Sequence, residues 1–541
     1  MKKFLSVVLS VVVLFSVVSV GVAAVDLSPV YYIDSINGSD DADGRSPETA
    51  WKTIYGGEYE FVPGTKVLFR CDGAYEVTDV TLTVEGTAEK PIVISSYGEG
   101  DRPLLYANGA NEVFTFIDCS YVTVYNVQIT APDGGGIWIN TVNKTSEGIT
   151  IDNVKFFGIQ NYEVNNRDNL SWGPVAARAC IMIKGLPSES VYPVNNLTIS
   201  NCEMVDCGNG ISAWGMCRNW PDNAMDIDAV FNEGLLIENC YFADMDAEAI
   251  IIGICDGAVV RNCVSTRCCL GADEPDENGD VKYFTAAIWF WGSVNSVVEH
   301  CEISDQKNYG DGMTVDFDSF TNNCTYQYVY SHDNVRFMVN NAKFAQQTGN
   351  TVRYCLSVND GVGSNRLAGG AGEDNLKFYN NTIVNCGLFD FSKMYNSTVV
   401  NNIIIPRHGY QLYCGTEDAL GNRNNTIKNN CYYNAFNPIC DTESMNTEPG
   451  FAGTDYTNPE SFKLAKNSPL IGKGIKIDDG LTEDFFGEEI VSNNIGCYGG
   501  TGVDVEGETS DATEEVANII RIIIERIIKA IKDLISDMQY K

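Results

Sequence analysis

An octet recurs along this chain, and it constrains the fold more than any other feature. Its copies read VTVYNVQI, ITIDNVKF, LTISNCEM, LLIENCYF, AVVRNCVS, SVVEHCEI, CTYQYVYS, NTVRYCLS, LKFYNNTI, STVVNNII and NTIKNNCY. The third position is apolar. The fifth is Asn126, Asn153, Asn201, Asn239, Asn262, His300, Tyr328, Tyr354, Asn380, Asn401 and Asn429. Successive copies lie 21 to 48 residues apart, and the short spacings leave no room for a crossover helix. Each repeat is therefore a coil of short strands and turns. One such coil cannot bury its apolar face alone, whereas stacked coils pair every backbone group with the coil above and below. Alternating Val, Ile and Leu face inward, and Asn tolerates the left-handed conformation that a sharp turn demands. Asn is also able to bond the same residue one coil away.

The expected architecture is all-β, a single-stranded parallel β-helix with caps at both ends. Right-handedness follows from the general preference of parallel crossovers, not from the octet. The sixth position holds Cys202, Cys240, Cys263, Cys301 and Cys355. Stacked in a core these act as small hydrophobes. A disulfide framework is the alternative for a chain with 19 cysteines, and Cys207, Cys217, Cys255 and the adjacent Cys268 and Cys269 are its better candidates.

Around the repeats the chain divides by composition. Residues 1–24 carry Lys2 and Lys3, an apolar run and Ala23-Ala24, which reads as a secretory signal peptide, with a membrane anchor as the alternative. Residues 25–118 hold an N-terminal cap and the first coils, 119–445 the repeats, and 446–503 a C-terminal cap. A polar linker follows at 504–513. Over 514–541 the spacing of Ile519, Ile520, Ile523, Ile527, Ile531 and Leu534 predicts an amphipathic helix. Packing on the rod and contact with a cell envelope are its two readings. The protein is expected to be secreted, extracellular or cell-surface associated.

With 36 Lys and Arg against 72 Asp and Glu, the formal net charge is −36, and no basic stripe invites nucleic acid. The same field repels acidic polymers and favours a neutral substrate.

The opening YYIDSINGSDDADGRSPETAWKTI, the segments PGTKVLF and KPIVISSYGEGDRP, and the closing FKLAKNSPLIGKG resemble secreted bacterial β-helix proteins of the pectate-lyase-like superfamily. The resemblance covers about residues 26–500. It implies a carbohydrate-active enzyme, a glycoside hydrolase or polysaccharide lyase. The best-known polygalacturonase signature is absent: there is no Gly-His-Gly, and the three histidines are His300, His332 and His408. The Arg-containing signature of the best-known pectate lyases is absent too.

The resemblance implies a cleft on the strand that recurs as GIWIN, CIMIKG, GISAWG, AIIIG, AIWFWG, MTVDFDS and RFMVNN. If Ile137, Ile181, Ile211, Ile250, Ile288, Val315 and Phe337 face inward, alternation turns Trp138, Lys184, Trp214, Ile251, Trp289, Trp291, Thr314, Asp316, Asp318, Arg336 and Met338 outward. Arg366 joins them on the next coil. Trp138, Trp214, Trp289 and Trp291 offer flat faces for sugar rings, unless insertions at 157–178, 216–234 and 266–285 cover them.

Asp316 and Asp318 share a face with backbone separation of roughly 6.5–7 Å. Such a spacing suits inverting glycoside hydrolysis, one carboxyl as acid and one as base. Asp311 and Asp333 are expected in support, with His332 adjoining. The competing role for these acids is structural. A lyase would instead use Arg336, Arg366, Lys184 or Lys307 as base, with Ca²⁺ held by Asp316 and Asp318. The acidic loop DEPDENGD (273–280) does not complete a calcium motif. The leading expectation is a glycoside hydrolase acting on a plant-type polysaccharide. A polysaccharide lyase and a non-catalytic glycan-binding or surface protein are the alternatives.

Overall fold

The computed structural model describes residues 28–109, 111–159, 179–183, 192–217, 227–270, 285–307, 312–341, 347–361, 365–366, 373–407, 412–413, 423–435 and 440–505. The leader expected over 1–24 and the helix expected over 514–541 lie outside them.

Among the described residues three long sheets, of 14, 12 and 12 strands, run along the rod, and every pairing in them is parallel. Each coil adds one strand to each sheet in turn. Val122–Tyr125 belongs to the first sheet, Gln128–Ala131 to the second and Ile137–Asn140 to the third. The octet spans the first two strands and the turn between them. Pairing sets like on like: Ile151, Ile199, Ile237, Val260, Val298 and Tyr326 follow one another up the first sheet, all buried. The core is therefore a column inside the rod. The first sheet already begins at Val30–Ile33, paired with Lys66–Arg70, so coils start well before the first octet.

The fifth octet residue turns left-handed in every copy, with φ between 48° and 59°. Asn153 Nδ2 donates to Asn126 Oδ1 (3.1 Å) and Asn401 Nδ2 to Asn380 Oδ1 (3.2 Å). Where the turn carries His300, Tyr328 and Tyr354, the left-handed backbone lacks that amide bond. Ring contacts take its place: His300 stacks on Tyr328 with centroids 4.8 Å apart, and Tyr328 meets Tyr354 at a tilt with centroids 6.2 Å apart.

The sixth-position cysteines are free and buried. Burial pushes the Cys355 thiol up to about 12, which keeps it neutral and inert. Cys207, Cys255 and Cys268 are free thiols as well, so the bridges expected from them do not form. Beyond Cys355 the column changes to Asn381, Asn402 and Asn430. These side chains bond one another inside the rod, Asn402 Nδ2 donating to Asn430 Oδ1 at 2.9 Å.

The C-terminal segment does more than close the last coil. Leu464, Leu470 and Ile495 cover Ile403 and Cys431 at that end. The chain then climbs back along the Asn turns. Ile475, Leu481 and Ile490 pack on Tyr328, Tyr354 and Tyr379, and Asn380 Nδ2 donates to Asn494 O and Gly496 O.

Candidate active site

The outward face of the third sheet is assembled by register. Trp138 pairs with Met182, Met182 with Ser212, Ser212 with Ile251 and Ile251 with Trp289. Phe290 pairs with Phe317, which sets Trp289 beside Asp316 and Trp291 beside Asp318. Asp316 pairs onward with Val339, and Val339 with Arg366. A parallel row runs Trp214, Gly253, Trp291 and Asp318. Residues from eight coils thus converge on one face because each strand contributes alternate side chains to it.

Two residues depart from the expected alternation. Thr314 turns inward, its hydroxyl 2.6 Å from Ser331 Oγ, and Met338 lies in the central core. The reason is the corner where the chain passes from the second sheet to the third. There two successive residues face in: Thr314 with Val315, and Phe337 with Met338. Met313 and Arg336, just before that corner, pair with each other, and Met313 packs in the outer cluster. Arg336 is 8% exposed.

The tryptophans are not open platforms. Trp214, Trp289 and Trp291 are 6%, 7% and 8% exposed and form a second apolar cluster with Met182, Ile251 and Phe320. Trp214 meets Trp289 edge-on at 6.2 Å and Trp291 at 6.0 Å, and its Nε1 donates to Ser212 Oγ (3.0 Å). The insertion after Trp214 returns as a short antiparallel pair, Met216–Cys217 with Ala229–Val230, and Ile227, Ala229 and Phe231 pack against the cluster. Three indoles left in water would be costly, so the insertion covers them. Trp138 remains half-buried at the edge of this cluster.

Asp316 is 5% exposed, while Asp318 is half-buried and accepts from Ser319 N at 2.7 Å. Their strand is pinned from inside. Tyr326, on the first sheet, reaches across the core. Its hydroxyl donates to Ile288 O (2.7 Å) and lies 3.2 Å from Asp316 O. Burial keeps that phenol protonated. Behind the strand lies a carboxyl that the octet pattern did not reveal. Asp360 is fully buried and accepts from Ser331 Oγ, Ser357 Oγ (2.7 Å) and Asn334 N (2.9 Å). Burial pushes it up to about 6.

Other expected members sit elsewhere. Asp333 occupies a left-handed turn (φ 57°) after the second sheet, where its carboxylate bonds His332 Nδ1 (2.9 Å) and Asn359 Nδ2 (3.1 Å). His332 also meets Glu302 at 3.2 Å, and these two acids raise it to about 9 against the opposing effect of burial. The structure therefore gives Asp333 and His332 a surface ion-pair ladder rather than a place beside Asp316. Lys307 is paired with Asp305 (3.1 Å). Asp311, Lys184 and the 273–280 loop lie outside the described residues, and Arg366 is placed by its strand register alone. Among the described residues no group of three or more His, Cys, Asp or Glu is arranged to hold a metal ion.

Comparison with known proteins sets this face in context. No family model matches the chain. A lacto-N-biosidase of Bifidobacterium longum subsp. longum is 24% identical, the match covering 77% of this chain and 31% of the relative. The chain thus spans about a third of that relative's length. Among solved structures, the GH136 lacto-N-biosidase from Eubacterium ramulus superposes with TM-score 0.55 at 19% identity, over 77% of this chain and 68% of the other. A PL6-family alginate lyase, AlyGC, gives TM-score 0.43 at 12% identity, over 82% and 56%. The chain shares the parallel β-helix fold of carbohydrate-active enzymes.

Proposed function

We propose that the protein is a glycoside hydrolase whose acid/base pair is Asp316 and Asp318. The observation that carries this reading is the convergence of both carboxylates on one outward face beside Trp289 and Trp291. Asp316, the more buried, holds the proton for the leaving oxygen. Asp318, the more exposed, activates water. The likeness to lacto-N-biosidases supports hydrolysis and widens the substrate from plant-type polysaccharides to oligosaccharides containing lacto-N-biose. The strong negative charge favours a neutral glycan.

The test is a panel of both substrate kinds, assayed for new reducing ends and for ultraviolet-absorbing unsaturated products, with and without chelator. Reducing ends without absorbance are expected. Asp316→Asn and Asp318→Asn should each lower kcat/KM by about 10²-fold or more, with Tm changed little. Full activity in both variants would sink the assignment. A chelator-sensitive, absorbing product would mean a lyase instead, and retention on glycan columns with no product a binding module.

Export belongs to the same proposal: cleavage near Ala24 and recovery outside the cell are expected. So does envelope contact through residues 514–541, which truncation at 513 should abolish in a fractionation assay.

A further inference from the structure

The outward face of the third sheet holds polar atoms that the fold leaves unbonded. Asn209 is 1% exposed, and neither its Oδ1 nor its Nδ2 has a hydrogen-bond partner. It opens the strand Asn209–Trp214 and pairs with Ala179, a member of the outer apolar cluster. At the next residue, Gly210, a Cβ would meet Phe242 of the central core at 3.0 Å. The chain therefore turns inward at 210, and Asn209 stands on the outer side of that corner. Gly210 N donates to Glu248 O (3.0 Å), which sets Glu248, also buried, in the same row on the next coil. Two strands the other way and three residues further along, in register with Ser212, Trp138 Nε1 is buried without a hydrogen-bond partner.

Buried amides are almost always bonded, and an orphaned one weakens the folded state. Keeping one in an otherwise apolar cluster calls for a ligand that completes it. An Asn amide offers two donors and two acceptors, and an indole N–H one donor. That set matches neutral hydroxyl or amide groups and gives a carboxylate no charge partner. Three strand steps, roughly 14 Å, separate Asn209 from the Asp316 strand. At that distance it cannot touch the reacting bond.

We infer that Asn209 is a distal contact for a neutral saccharide, on the face that carries Asp316 and Asp318, with the Trp138 N–H a second contact further along that face. This rests on the glycosidase reading and adds to it a substrate that is uncharged and extends several units from the cleavage point.

The test uses Asn209→Leu and Trp138→Phe in the full chain; the second keeps the ring and removes only the donor. Apo melts, kinetics on a long oligosaccharide and on a minimal aryl glycoside, and saccharide titration calorimetry are compared with wild type. For Asn209→Leu an apo Tm a few degrees higher is expected. For both variants KM on the long substrate should rise about tenfold, and for Asn209→Leu kcat and aryl-glycoside kinetics should stay unchanged. A lower apo Tm for Asn209→Leu with unchanged KM overturns the subsite, because a bridging water or plain packing then explains the amide. If wild type cleaves nothing, the hydrolase reading falls, and calorimetry still decides the subsite. Tenfold weaker saccharide binding in the variants upholds it, whereas equal binding or none in wild type overturns it.

Discussion

Glu373 is a carboxylic acid inside the rod. It has no exposed surface, Asn340 Nδ2 donates to its Oε2 at 3.1 Å, and burial pushes it up to about 8 from an ordinary 4.5. Between pH 4.5 and 8 the folded chain holds a proton that the unfolded chain has released, so this residue lowers stability as pH rises through that window. Glu373→Gln removes the penalty. Its unfolding free energy should match wild type near pH 4.5 and exceed it at pH 8, by an amount on the order of 1–2 kcal/mol; denaturant unfolding of both proteins across that range checks this, and parallel pH dependences would refute it. Neither Glu373 nor Asp360 was legible in the sequence. Their significance comes from burial, and burial depends on the coils stacked on either side. Asp316 and Asp318 were legible as a pair because i,i+2 spacing on a strand is a local property. The ion-pair ladder that takes Asp333 and His332 was not, since its partners Glu302 and Asn359 come from neighbouring coils.

Within a coil, each element is held by what crosses the rod as much as by its own ladder. Tyr326 is the clearest case, since its hydroxyl ties the first sheet to the Ile288 and Asp316 backbones of the third. Tyr326→Phe should cost about 1–3 kcal/mol, the value of a buried hydrogen bond whose acceptor is left bare. It should also lower kcat more than it raises KM, because the strand bearing Asp316 loses its inner tether. Chemical denaturation and steady-state kinetics separate the two effects, and an unchanged kcat would make Tyr326 a packing residue only. The strands themselves follow from the octet. Their corners do not: two successive residues face inward where the second sheet gives way to the third, which moves Thr314 and Met338 to the core side. Strict alternation describes a straight strand, and a rod needs corners.

Across the whole molecule, stability is local along the axis, as it is in any stack of nearest-neighbour repeats. The C-terminal return is the exception, because it fastens onto coils about a hundred residues earlier in the chain. Asp479 accepts from Tyr379 Oη at 2.6 Å and meets Arg353 Nη1 at 3.4 Å. Asp479→Ala should destabilise by about 1–3 kcal/mol. Hydrogen exchange should quicken in the coils from Tyr328 to Lys428 and stay unchanged in those before Asp152; a uniform change along the rod would contradict a local fastening. The sequence alone determined that this chain stacks, where each coil turns, and which strand carries the carboxylate pair. Those properties repeat with the coil and so are written in every copy. Only the tertiary structure decided that the tryptophans are roofed, that the sixth-position cysteines stay free, that Asp333 belongs to a surface ladder, and that Asn209 stands unbonded at the edge of the roofed cluster. Each of these depends on which residues of different coils, or of an insertion laid across them, come into contact, and no spacing within one repeat encodes that.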